Sequence, residues 1–178
     1  MMRRALLQHV GLQGVRVETF RVYWRAYGGW FALITSPYFL CAGIFAALCK
    51  PLWFDGAAKN FPWTDWALSL LSSLISFSIG GLAVILAFSN EKFVRLIRQN
   101  GKENSYFMVL TTAFFHFILV QFIAIALVII LISYQTVFLS GVAFWVFSYA
   151  IACGIAAAAS LLESAHILNR MGILDVND

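Results

Sequence analysis

Residues 104–162, NSYFMVLTTAFFHFILVQFIAIALVIILISYQTVFLSGVAFWVFSYAIACGIAAAASLL, run for 59 positions without an Asp, Glu, Lys or Arg. A hydrocarbon core of about 30 Å is crossed by about 20 residues of apolar helix, so this stretch is too long for a single crossing. A polar interruption, Ser133-Tyr134-Gln135-Thr136, falls near its middle, where a tight turn would return the chain. Working outward, Asp65 and Glu91 enclose 25 uncharged residues, and Arg25 and Lys50 enclose 24. Each of these gaps fits one span. The pattern predicts an all-α integral membrane four-helix bundle, one transmembrane domain over residues 1–178, with spans at 29–49, 66–89, 106–133 and 137–162.

Composition agrees with that reading. Hydrophobic residues make up 62% and charged residues 11%, against about 25% charge in soluble domains. Basic residues divide unevenly between the two sides. Arg3, Arg4, Arg16, Arg21 and Arg25 precede the first span, Lys92, Arg95, Arg98 and Lys102 follow the second, and Arg170 follows the fourth; only Lys50 and Lys59 lie opposite. The positive-inside rule then places both termini and the middle connection in the cytoplasm of a multi-pass inner (plasma) membrane protein. The same asymmetry accounts for the net charge of +4, with basic side chains facing anionic head groups, so no direct nucleic-acid partner is expected. Cys41, Cys49 and Cys153 are odd in number and sit inside spans, which reads as packing and not as a disulfide framework.

Outside the spans the chain shows helical pattern. Residues 1–28 form an N-terminal amphipathic segment, with Leu6, Val10, Val17, Phe20 and Trp24 on one side of a helical wheel and Glu18, Arg21 and Arg25 beside them; such a helix lies in the interface. Gly28-Gly29 is the expected bend into the membrane. Helical extensions into the cytoplasm are predicted at 90–100, ending on the cap Asn100-Gly101, and at 163–172.

Helices associate in membranes where small residues let backbones approach. The second span carries such a stripe through Ser76, Gly80, Ala83 and Ala87, and the fourth through Ser148, Ala152, Ala156 and Ala159. Helices two and four are therefore the expected inner elements, packing within a subunit or between subunits, and a leucine at position 80 is expected to push helix two from its neighbours.

Three intramembrane polar residues stand out, His116, Gln121 and Thr112, all on the third span. An ionisable group inside hydrocarbon is a functional hypothesis by default. His116 reads as a proton-sensitive latch or as the lining of a water-filled path, or else as a neutral histidine bonded to Thr112 or to a neighbouring backbone. Gln121 is five residues on, about 140° around the axis, so the pair is expected to face different ways. Its expected role is interhelical hydrogen bonding. Glu163 and His166 form half of a di-iron ligand set, but the partner carboxylates are missing from the spans, so neither a metal nor a cofactor is expected.

Catalytic motifs are absent: there is no HExxH, no GxSxG and no phosphate-cradling glycine loop. The basic cytoplasmic platform of Glu91, Arg95, Arg98, Lys102, Glu163, His166 and Arg170 fits a protein partner. The expectation is a non-enzymatic membrane subunit, oligomeric, that senses a membrane state or anchors a cytoplasmic partner. The alternative is an oligomeric pore or ion channel. Small four-span proteins also serve as membrane components of bacterial defence against phage, an association of size and span number that no residue here carries.

Overall fold

The computed structural model describes residues 20–54, apart from Val22 and Ala26, together with 61–87 and 105–174; side chains are described as far as Ile167, and for Asn169. Among the described residues the fold is all-helical, with no strand. The helices are α1 (Gly29–Thr35), α2 (Pro37–Leu48), α3 (Lys50–Trp53), α4 (Trp63–Ala87), α5 (Tyr106–Tyr134) and α6 (Val137–Leu174). Three of them, α4, α5 and α6 as far as Ile167, are long and apolar enough to cross a membrane, and α1 with α2 adds a fourth if the bent pair crosses as one span.

The first span differs from its predicted form in being broken. α1 and α2 meet at an angle of 48°, with Ser36 extended between them (φ −60°, ψ 128°) and Pro37 opening α2. Proline has no N–H to continue the ladder and restricts the residue before it to extended backbone, while its own φ suits the first turn of a helix. The bend at Gly28-Gly29 falls where the sequence puts it, with φ of 95° and 71°. A Cβ on Gly28 would lie 2.9 Å from that of Ala32, so this turn needs glycine.

The polar interruption in the long uncharged stretch is the turn of an antiparallel helix pair. α5 ends at Tyr134, Gln135 adopts the left-handed conformation (φ 48°) and its N–H donates to the Leu131 carbonyl at 2.7 Å. At the other end of α5, the Ser105 hydroxyl accepts from the Met108 N–H. α6 then continues unbroken to Leu174, so the predicted extension over 163–172 is helical. The segment 88–104, with Glu91, Arg95, Arg98 and Lys102, lies outside the described residues, as do residues 1–19 of the leader and the side chain of Arg170.

α6 is the hub, packing against α2, α3, α4 and α5. Burial covers 56% of its most apolar window, against 39% for α5 and 22% for α4. Of its predicted packing residues, Ser148 and Ala156 are buried, Ala152 is partly buried and Ala159 is exposed. The fourth span is thus an inner element, but the second is not in the way the small-residue pattern predicts. Ser76, Gly80, Ala83 and Ala87 all face outward, and a Cβ at Gly80 would have nothing within 4 Å. The buried face of α4 is instead Trp63, Ala67, Leu71, Ser78, Gly81 and Ile85. One residue of helix turns a side chain by 100°, and the glycine that admits a neighbour is Gly81, whose Cβ would stand 3.0 Å from Phe114 and 3.1 Å from Leu161. Farther along the same contact, a Cβ on Gly154 of α6 would meet Leu74 of α4 at 2.7 Å.

This placement separates two adjacent glycines. Gly81→Leu overpacks the α4–α5–α6 junction and should lower stability by about 1–3 kcal/mol, while Gly80→Leu leaves the fold of the single subunit unchanged. Thermal unfolding of the two purified variants in detergent checks the contrast, and equal melting temperatures would refute it.

Candidate functional site

The site is built on His116, whose side chain is 3% exposed. Helix α5 places it in the bundle with Phe114 and Phe117, both buried. The segment before α1 folds back over it. The helical residues around Tyr23 and Tyr27 set these two tyrosines one turn apart, on the same side of their helix. The Tyr23 hydroxyl lies 2.7 Å from Nδ1 of His116, and the Tyr149 hydroxyl of α6 lies 2.9 Å from Nε2. Tyr27 stacks on the imidazole with centroids 3.9 Å apart and planes 19° from parallel, and its hydroxyl is 3.3 Å from that of Tyr149. Tyr23 is held edge-on against Phe115 at 4.9 Å, and Tyr149 edge-on against Phe39 of α2 at 5.3 Å. Cys153 is buried one turn beyond Tyr149. Three elements, the leader segment, α5 and α6, thus meet at one imidazole ring, and α2 backs Tyr149.

The hydrogen bonds form a chain, Tyr23 to His116 to Tyr149 to Tyr27. A neutral imidazole has one donor and one acceptor, and a phenol can act as either. With the proton on Nε2, Tyr23 donates to Nδ1, Nε2–H donates to the Tyr149 oxygen, and Tyr149 donates to Tyr27. With the proton on Nδ1 every one of these bonds reverses and all remain made. Burial pushes the Tyr23 hydroxyl, which precedes the first span, up to about 12, so it keeps its proton throughout the physiological range. The arrangement can therefore relay a change of tautomer across the bundle, and it ties the leader to α5 and α6 in both states.

The other sequence-predicted residues fall elsewhere. Gln121 is fully buried and its Nε2 donates to Ser78 Oγ of α4 at 3.1 Å, an interhelical bond of the predicted kind. It shares the interior of the subunit with His116, despite their angular separation, because α5 is enclosed on more than one side, by α4 and by α6. Its Oε1 has no hydrogen-bond partner among the described residues. Thr112 is buried one turn before His116, but both imidazole nitrogens go to tyrosines. Glu163 and His166 are exposed on the far end of α6. No cluster of three metal-ligating side chains occurs among the described residues.

Sequence reading missed Tyr23, Tyr27 and Tyr149. The helical wheel assigns Phe20 and Trp24 to the apolar side of the leader, yet Phe20 is exposed, Trp24 is only partly buried and Tyr23 is the buried residue. The sequence carries two tyrosines spaced i,i+4 in the leader and a buried histidine in need of two partners, 93 positions apart from Tyr23, so nothing local joins them. An apolar-face criterion ranks tyrosine low because it ignores the hydroxyl.

Comparison with protein families, curated proteins and solved structures gives no match.

Removing one hydroxyl leaves one imidazole nitrogen unpaired in an apolar setting, at a cost of about 1–3 kcal/mol. Tyr149→Phe should destabilise more than Tyr23→Phe, because the Tyr149 oxygen bonds both His116 and Tyr27. Melting temperatures of the two variants test the order.

Proposed function

We propose that this chain is a non-enzymatic multi-pass subunit of the inner membrane, both termini cytoplasmic, that couples the state of its bundle to a cytoplasmic partner and works as a homo-oligomer. The observation that carries this reading is the bond from Tyr23 to His116. It fastens the leader, the most basic segment of the sequence, to two of the longest helices, so any change that shifts α5 against α6 alters the grip on the leader. His116 is then a latch and not a catalyst. Its nitrogens are both occupied by hydroxyls and one ring face is covered by Tyr27. The outward face of Glu163 and His166 supports a partner surface on the same side.

A second reading, an oligomeric pore, is favoured by one specific feature. Ser69, Ser72, Ser73 and Ser76 line the outside of α4 next to Gly80. The hydroxyls of Ser72, Ser73 and Ser76 already donate to carbonyls one turn back, so this face tolerates lipid, a copy of itself or water. His116, Gln121 and Thr112 are buried within the subunit and do not add to such a lining.

His116→Ala should free the leader without unfolding the bundle. Limited proteolysis at Arg21 and Arg25 in membrane vesicles should then be faster than in the parent, and recovery of co-purifying cytoplasmic protein from the native host should fall. Unchanged proteolysis and recovery would remove the latch. Single-channel recording on reconstituted protein separates the two readings: the coupling subunit gives no current at any voltage, pH or tension, and a pore does.

A further inference from the structure

A groove of about 600 Å³ opens on the side of the bundle between α2, α3 and the start of α6; Phe39 stands between it and the tyrosine-histidine cluster, packing on Trp145 at 5.1 Å and on Tyr149 at 5.3 Å. Gly43 and Ala47 of α2 and Gly141 of α6 line it with small residues, and Trp53, Phe54 and Trp145 supply its aromatic surface. The two glycines seat the two indoles. A Cβ on Gly141 would fall 2.8 Å from the Trp53 ring, and one on Gly43 would fall 3.4 Å from Trp145. The Trp53 N–H is taken by the Ala46 carbonyl at 2.8 Å, which fixes that indole. Along α6, from Val137 to Trp145, the groove follows the helix axis for about 12 Å at 1.5 Å per residue.

One end of this apolar groove carries a cation. Lys50 opens α3, and its Nζ lies 4.4 Å from the centroid of Phe54, a lining residue, so the ring holds the ammonium at the mouth. The site therefore has a charged end at the helix boundary, where head groups lie, and a hydrocarbon end running into the bilayer. That polarity is the polarity of a phospholipid. We propose that the groove binds a phospholipid of the surrounding bilayer, with one acyl chain between α2 and α6 and its phosphate on Lys50. The ammonium at the mouth of an otherwise apolar groove matches a lipid phosphate by charge. The lipid proposal rests on the groove and Lys50 and not on the bond from Tyr23 to His116, so the two are tested separately.

The test uses the full chain in vesicles of phosphatidylcholine with trace phospholipid bearing a photoactivatable group on its acyl chain, followed by digestion and mass spectrometry of the adducts. Adducts should concentrate on α2 and α6 residues of the groove relative to Ile129 and Ile130, which are exposed at the same end of the bundle. Ala47→Trp, a change at an exposed lining position, should remove the groove adducts and spare those at the two isoleucines. Lys50→Gln leaves the packing intact and should cut the preference for a phosphatidylglycerol probe over a phosphatidylcholine probe by about fivefold. Should the Ala47 variant fail to fold, the Lys50 variant decides alone. Uniform labelling of groove and isoleucines, adducts indifferent to both substitutions, or adducts joining two copies of the chain through the groove would each overturn the proposal.

Discussion

Hydrocarbon offers no hydrogen-bond partner, so a polar side chain carried into it must find its partner inside the protein. That constraint organises the interior of this bundle. Several polar groups at depth join two helices or return to their own: His116 to Tyr23 and Tyr149, Gln121 Nε2 to Ser78, Trp63 to Ser140, and the serines of α4 to carbonyls one turn back; the Tyr106 hydroxyl, Thr111 Oγ1 and Gln121 Oε1 are buried without a partner among the described residues. The apolar contacts hold the helices close, and these few bonds fix which face of each helix meets which. They bind α4, α5 and α6 at three depths, with the tyrosine-histidine cluster as the one knot that also includes the leader.

Around that knot the helices divide their work. α6 supplies the common wall because it alternates small and aromatic side chains: Phe144 and Phe147 meet Trp63 and Trp66, while Gly154 admits Leu74. α4 presents one face to the bundle and keeps a second, serine-bearing face outside. α2 is separated from α1 by a proline break and, together with α3, leaves beside α6 the groove with Lys50 at its mouth. The tyrosine-histidine cluster and the groove are neighbours along α6, with Phe39 packed on Tyr149 of one and Trp145 of the other.

His116 shows how far linear reading reaches. Its depth and its polarity single it out, since a titratable ring inside 59 uncharged residues has few explanations. Its partners do not follow, because a hydroxyl 93 positions away in the leader becomes a neighbour only when the Gly28-Gly29 turn folds the segment back. Gly80 and Gly81 make the same point on a smaller scale. Both belong to a run of small residues, and the choice between them depends on where the rings of α5 arrive.

The sequence by itself determined the membrane class, the long apolar helices, the turn at residues 133–136 and the identity of the polar residues at depth. These follow from hydropathy, charge spacing and backbone chemistry, which act over a helix turn or a helix length. Tertiary structure alone decided that α6 is the hub, that the small-residue face of α4 points outward, that α1 and α2 meet at 48° across the break that Ser36-Pro37 imposes, and that three tyrosines enclose His116. Facing is a property of pairs of helices, and a difference of one residue, 100° of rotation, exchanges a buried face for an exposed one.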